Sequence, residues 1–453
     1  MRSLNLPALF GALGLTVVLA SCGHSGGSAL PPTAPVAPAP QLEPAPITTQ
    51  SLAVPATTAF MPGSSWGRIS AFQIFDETSN GYITSGAAAA DGPRYSAVWG
   101  VRPGFAPAWL TNNKALRASY YFLMETDTST TGWGAFGHSL SWWQTNHPSW
   151  ILYACTSAGV PTKQPAYDVS RLPNVPLDIH NPAVVTYEMT QVASYAHRNG
   201  YTALAADEAT FWFPGSGGTG YYPCGIYQGS TFVRRYSSPT DQTWAADVVA
   251  WSKIAHSTAA TYGLKLIVNH PGNSLTANEM GLMANEDAVM DETGFTVYGG
   301  YIRPASFITR EIAWMRYAQA HGVAVLINND WGSATFGPAQ KDYSIATYLL
   351  GNEQAASLFA STHYGYGVET FLPEYNTPIG APCGEYYTGT SSALLYRKFA
   401  NALVVVNAGG SGTLSAALPS THAYIDLEGR AVTRPLTLAP NDGYVLKTTN
   451  GCV

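Results

Sequence analysis

Short apolar runs alternate with longer amphipathic stretches from about Trp66 onward, the pattern of βα units wrapped around a parallel sheet. The runs at 71–75, 96–101, 116–123, 150–154, 203–206, 264–269, 288–290 and 323–328 read as strands, and eight strands close a (β/α)8 TIM barrel. The helices are marked most sharply at their ends. Asn181-Pro182 opens one that runs to Asn199-Gly200, with Val185, Met189, Val192 and Ala196 on its apolar face. Proline in the first turn gives up an N–H that has no partner there, and glycine just past the last turn accepts a left-handed cap. Similar runs occupy 244–262, ended by Gly263, and 308–321, ended by Gly322. Beyond about Phe399 the helical period stops, and 403–407, 423–427, 430–433 and 443–447 read as short strands between Gly, Asn and Pro turns. The expected fold class is α/β: a TIM barrel over 65–398 and a small antiparallel β-sandwich over 399–453.

The first residues follow a different pattern. Arg2 precedes an apolar stretch at 8–20 that is too short to span a bilayer as a mature helix and reads as a signal peptide over 1–21. It ends in Leu19-Ala20-Ser21-Cys22, which resembles the lipobox of bacterial lipoproteins. That resemblance implies lipid on Cys22, a membrane partner through that anchor, and an exported protein facing outside the cytoplasm. Residues 22–64 are rich in Pro, Ala, Ser and Thr with few large apolar residues, so they read as an extended tether. Cys155, Cys224, Cys383 and Cys452 remain. In an exported chain they fit two disulfides whose pairing the spacing leaves open, and no zinc-knuckle spacing is present.

Composition narrows the functional classes. Charged residues make up 11% of the 453, and the formal net charge is -6, so there is no basic field to hold nucleic acid. Aromatics reach 12%, with 12 Trp and 27 Tyr, which suits stacking against the apolar faces of sugar rings. The chain has no HExxH, no P-loop and no dinucleotide glycine fingerprint, which removes metalloprotease, NTPase and dehydrogenase readings. No cofactor or metal is called for, and a monomer is expected.

In a (β/α)8 barrel the chemistry sits at the C-terminal ends of the strands. Acids stand there in three places: Asp207-Glu208, Asp291-Glu292 and Asp330. Hydrolysis of a glycosidic bond needs two carboxyl groups flanking it, one to protonate the leaving oxygen and one to attack or to activate water. Acids in βα-loops also serve as helix N-caps and ion pairs, but three such places in register favour catalysis. Neighbouring strand residues face opposite sides, so one member of each pair is expected in the barrel mouth, and periodicity leaves open which. Phe211, Trp212, Tyr221, Tyr222, Tyr298, Tyr301 and Trp331 follow the same strand ends. Of these, Trp212, Tyr298 and Trp331, with Asn269 and His270, are the substrate-binding candidates.

The chain resembles the hypothetical glycosyl hydrolase family fifteen of bacterial exported proteins, which is distinct from the glucoamylases. The resemblance is carried by Leu177-Asp178-Ile179-His180-Asn181-Pro182, by Gly200-Tyr201-Thr202-Ala203-Leu204-Ala205-Ala206-Asp207-Glu208 and by Met290-Asp291-Glu292-Thr293-Gly294-Phe295. Later parts are also similar: Tyr348-Leu349-Leu350-Gly351, Pro373-Glu374-Tyr375, Ile379-Gly380-Ala381-Pro382, then Arg397, Phe399, Asn407 and Asp426-Leu427-Glu428-Gly429. It implies a TIM barrel with a β-sandwich acting on a polysaccharide or glycoconjugate. By position, Asp207 matches the acid that ends a DGxxxD-like strand, and Glu292 matches the Glu of a later strand. Thr202-Ala203 stands where that family has Asp-Gly, so Glu208, Asp291 and Asp330 are kept as reserve catalytic acids. The expected activity is O-glycoside hydrolysis by Asp207 and Glu292. The rival expectation is a carbohydrate-binding lipoprotein without catalysis.

Overall fold

The computed structural model describes residues 60–78, 81–124, 126–127, 137–166, 175–213, 221–270, 274–297, 301–332, 336–362 and 371–452. Cys22, the apolar stretch 8–20, nearly all of the tether and Tyr298 lie outside them.

Eight parallel strands form one sheet in chain order: β1 Phe72–Ile74, β2 Ala97–Trp99, β3 Arg117–Leu123, β4 Ala203–Asp207, β5 Lys265–Asn269, β6 Ala288–Asp291, β7 Ala324–Asp330 and β8 Leu358–Thr362. A parallel bridge between Ala71 and Phe359, with the Phe359 N–H donating to Ser70 O at 2.9 Å, joins β8 back to β1. This is the (β/α)8 barrel expected from the pattern.

One expected barrel strand lies elsewhere, and one strand of the barrel is not among those expected. The run at 150–154 is not in the barrel: Tyr153–Thr156 lies in a separate antiparallel sheet, between Tyr221–Gln228 and Pro161–Pro165. A turn with Gly159 at φ 78° sends the chain straight back as the partner Pro161–Pro165, whereas a parallel crossover needs a dozen or more residues. The eighth barrel strand is instead Leu358–Thr362, reached through a helix that the apolar pattern did not single out.

Five helices matter for the site and its support: α1 Pro182–Arg198, α2 Gln242–Thr261, α3 Ala277–Met283, α4 Ala305–Ala320 and α5 Pro338–Gly351. Helix α1 starts where Asn181 accepts from Ala183 N, and it buries Val185, Met189, Val192, Ala193 and Ala196 against the barrel. Each large side chain on that face contributes about 1.5–3 kcal/mol by leaving water. No helix of the described residues is long and apolar enough to cross a membrane.

The C-terminal part is a four-stranded antiparallel sheet in the order Tyr387–Thr388, Leu394–Phe399, Ala402–Asn407, Asp442–Lys447, faced by the pair Leu414–Ala416 and Leu436–Leu438. Leu394, Leu403, Val405, Leu418, Leu436 and Leu446 fill the space between the two sheets, which makes the expected small sandwich. The strands expected at 423–427 and 430–433 do not form; Ile425 makes only single bridges, to Ala431 and Lys447. The other face of the larger sheet lies on α5. It comes so close that a Cβ at Gly443 would sit 3.0 Å from Ala346 Cβ and 3.1 Å from Tyr343 Cα. Arg397, fully buried, ties the two together: its Nη1 donates to Leu349 O, Leu350 O and Asn352 O at the end of α5, and its Nη2 to Glu353 at 2.6 Å. A guanidinium there answers carbonyls that the helix itself leaves without partners. Disulfides join Cys155 to Cys224 and Cys383 to Cys452.

Candidate active site

The inner layer of the barrel is built from alternate residues: Ala97 and Trp99, Ala203 and Ala205, Ile267, Ala288 and Met290, Ala324 and Leu326, Leu358 and Ala360. Their neighbours Val98, Leu204, Ala206, Leu266, Val268, Val289 and Val325 face the helices. Continuing the inward set by one step of two residues brings Tyr121, Asp207, Asn269 and Glu292 to the mouth. These four line a cavity of about 540 Å³, together with Phe75, Trp99, Glu208, Thr210, Trp212, His270, Asp291, Thr293 and Arg303. Small residues below and polar residues at the rim leave the space open at the end of the barrel where function is expected.

Hydrogen bonds fix the two acids relative to each other. The Asn269 side-chain amide nitrogen donates to Asp207 Oδ1 at 2.9 Å and to Glu292 Oε2 at 2.9 Å. Asp207 Oδ1 also accepts from the Glu208 backbone N–H at 2.9 Å, and its Oδ2 accepts from the Tyr121 hydroxyl at 2.8 Å. The Glu292 backbone carbonyl accepts from Asn328 Nδ2 at 2.7 Å. With both bonds leaving one nitrogen, the bridged oxygens are at most twice 2.9 Å apart. The two N–H directions of a planar amide set them about 5 Å apart.

Backbone strain gathers at the same place. Among the described residues, Phe75, Glu208, Asn441 and Asn450 are the non-glycines in the left-handed region. Asn tolerates that region, whereas a Phe or Glu there costs of order 1–3 kcal/mol and persists where the surroundings enforce it. Phe75, at φ 56°, and Glu208, at φ 60°, both line the cavity. The turn at Glu208 aims its N–H back at Asp207, and Phe75 sets its ring edge-on to Tyr121 with centroids 5.1 Å apart.

The other expected residues separate clearly. Both members of each acidic pair line the cavity, contrary to the expectation of one each, because regular strand geometry stops at Glu208 and at Glu292. Asp291 is buried, and its Oδ1 accepts from Thr293 N at 2.8 Å, Gly294 N at 2.9 Å and Thr293 Oγ1 at 3.0 Å, so it closes the turn that carries Glu292. Asp330 ends β7 but is not among the cavity-lining residues. Its Oδ1 accepts from Gly332 N, and burial pushes its carboxyl up. His270 lines the cavity from a fully buried position, and burial alone pushes its pKa down to about 3, so it stays neutral.

Trp212, 57% exposed, stands at the rim with a ring free to stack. Trp331 is 3% exposed and its indole N–H donates to Ser344 Oγ at 3.0 Å, so that ring is core rather than platform. Tyr298 lies outside the described residues. Several lining residues were not singled out from sequence, Tyr121 and Arg303 among them. Tyr121 was legible as the inward residue of a recognised strand. Arg303 gave no signal, because it stands well past β6 and reaches back through bonds to Thr296 O at 2.8 Å and Thr293 Oγ1 at 2.7 Å.

No protein-family model matches the chain, and no curated protein sequence does. Among solved structures the chain is similar to a GH27 β-L-arabinopyranosidase from Geobacillus stearothermophilus, at 9% identity over 87% of this chain and 98% of that one, with a TM-score of 0.49. It is also similar to an α-amylase from Malbranchea cinnamomea, at 10% identity over 84% of this chain and 97% of that one, with a TM-score of 0.46. A maltogenic α-amylase from Thermotoga neapolitana matches at 10% identity over 83% of this chain and 98% of that one, with a TM-score of 0.45. Likenesses of this degree add nothing to the strand order, and the functional reading rests on the cavity.

Proposed function

We propose that this chain is a glycoside hydrolase that cleaves O-glycosidic bonds of a polysaccharide or glycoconjugate, the activity that the resemblance to family fifteen implies, and that the geometry of its two acids makes it retaining. The observation that carries the reading is the Asn269 amide that bridges Asp207 and Glu292 in one cavity. Retaining enzymes hold their two carboxyl groups roughly 5–5.5 Å apart and inverting ones roughly 6.5–9.5 Å. An upper limit of twice 2.9 Å between the bridged oxygens favours retention.

In this reading Asp207 is the nucleophile. Its two oxygens are held by Tyr121, Asn269 and the Glu208 N–H, so one is aimed at the anomeric carbon without a search over rotamers. Glu292 gives its proton to the leaving oxygen as the bond from Asp207 to the sugar forms. It then takes a proton from the water that attacks the glycosyl ester, which releases the sugar and restores both acids. Trp212 offers the exposed ring on which a sugar can stack.

The test is a glycan and aryl-glycoside screen followed by Asp207→Asn and Glu292→Gln. Each variant is expected to lose roughly 10²–10⁴-fold or more in turnover, and proton NMR of the first product is expected to show the substrate's own anomer. Full turnover in either variant removes that residue from the mechanism, and an inverted first product removes the nucleophile role.

We also infer that the protein works outside the reducing cytoplasm. Two disulfides support this, and lipid on Cys22 would supply the anchor. Labelling with a radioactive fatty acid, lost in Cys22→Ser, checks the anchor.

A further inference from the structure

Behind the cavity wall lies a carboxyl that the proposed chemistry does not use. Glu311, on α4, has 0% exposure, and neither of its side-chain oxygens receives a hydrogen bond from any described N–H or O–H donor. An ionised carboxylate in that position would be a bare buried charge, which costs far more than protonating it. Burial accordingly pushes the Glu311 carboxyl well above its usual range, and the neighbouring Asp291 pushes it further. A protonated carboxyl owns one O–H that must find an acceptor.

The charged groups that face Glu311 are Asp291, Arg303 and Glu279. Arg303 cannot accept. Glu279, on α3, acts on Glu311 through its charge, and the side chain in hydrogen-bonding contact with Glu311 is that of Asp291. The three donors of the Asp291 turn all go to its Oδ1. That leaves Oδ2 for the Glu311 proton. The turn in question is the one that presents Glu292. It has no slack, since a Cβ at Gly294 would lie 2.6 Å from Asn328 O and 2.8 Å from Ile327 Cγ2.

We propose that Glu311 is a positioning residue that shares one proton with Asp291, and that this shared proton locks the Asp291–Gly294 turn and with it the placement of Glu292. The inference rests on the hydrolase reading for its kinetic consequence, but not for the proton itself. Two carboxyls so placed cannot both ionise without repelling. Glutamine in place of Glu311 keeps a donor toward Asp291 and has no charge to lose, whereas leucine removes the donor.

The experiment compares wild type, Glu311→Gln and Glu311→Leu in thermal melts between about pH 5 and about pH 9, and in steady-state kinetics on the glycan found by the screen. Because folding raises the proton affinity of Glu311, wild type is expected to lose melting temperature as pH rises through this range, and Glu311→Gln to lose less. Glu311→Leu is expected to lower kcat roughly 10²-fold, as a displacement of about 1 Å does, with KM nearly unchanged. Glu311→Gln is expected to restore kcat to within about threefold. Parallel pH–melting curves for wild type and Glu311→Gln overturn the shared proton, and this arm decides even where the leucine variant fails to fold. Wild-type kcat in a folded Glu311→Leu, beside inactive Asp207→Asn and Glu292→Gln, overturns the positioning role and leaves the hydrolase reading intact. A wild type that cleaves no glycan ends the hydrolase reading, and the melts still decide the proton.

Discussion

Tyr121 and Asp207 stand on adjacent parallel strands in a register that sets Leu123 beside Asp207, and from there the Tyr121 hydroxyl donates to Asp207 Oδ2 at 2.8 Å. The ring is steadied edge-on by Phe75, itself held at a positive φ. A hydrogen bond to a charged group contributes about 1.5–3 kcal/mol. Tyr121→Phe keeps the ring and deletes that bond. It is expected to lower kcat/KM by roughly 10–100-fold while the melting temperature barely moves, measured by steady-state kinetics beside calorimetry. Unchanged kinetics would show that Asp207 does not depend on this donor.

Asn269 presents a different kind of dependence, because one amide serves both acids. Asn269→Ala removes the spacer between them and is expected to cost more than Tyr121→Phe in kcat, with KM affected little. Asn269→Asp is expected to be worse than alanine, since it places a third carboxyl where a donor stood and sets like charges against each other. The ranking of the two variants by kcat is the check; an aspartate variant as active as wild type contradicts the bridging role.

Trp212 and Trp331 both follow acids at strand ends, and the structure gives them opposite roles. Trp212→Ala is expected to raise KM about tenfold with little change in kcat or melting temperature, because an exposed ring gives up stacking but no core. Trp331→Ala is expected to destabilise the fold by about 3–5 kcal/mol through the cavity it leaves and the lost bond to Ser344. Denaturant unfolding separates the two: equal loss of stability in both variants would contradict this division.

That pair also shows what the sequence can carry. The barrel was legible because Ala203–Asp207, Lys265–Asn269 and Ala324–Asp330 each follow a helix with clear ends, and local signals of that kind need no tertiary information. The acids could have been sorted as well. Stepping by two from Ala203 and Ala205 reaches Asp207, and from Ala288 and Met290 reaches Glu292, once the small residues are recognised as the inner layer. The error at 150–154 has a physical reason: a buried apolar strand looks the same whether its partners run parallel or antiparallel, and the tight turn at Gly159 was the one cue that decided it. Long-range facts were beyond reach. Nothing local says that Ser344 will claim the Trp331 indole, that Arg303 folds back onto Thr293, or that Glu311 ends up against Asp291.

Asp342, on the face of α5 that meets the C-terminal sheet, gives a prediction in pH. Its carboxyl is pushed up to about 7, chiefly by burial, then by Glu428, while Lys341 works in the opposite sense. Lys341 is engaged elsewhere, donating to Glu374 and Glu428 at 2.7 Å each. Folding therefore raises the proton affinity of Asp342, so its contribution is most favourable below the unfolded carboxylate range and is lost as pH rises toward about 7. Asp342→Asn stays neutral at every pH. It is expected to match wild type near pH 4 and to be more stable by on the order of 2 kcal/mol at pH 8, measured by urea unfolding at both pH values. A stability difference that stays constant between them would mean that Asp342 does not titrate in this interval, and that the junction of helix and sheet tolerates its charge.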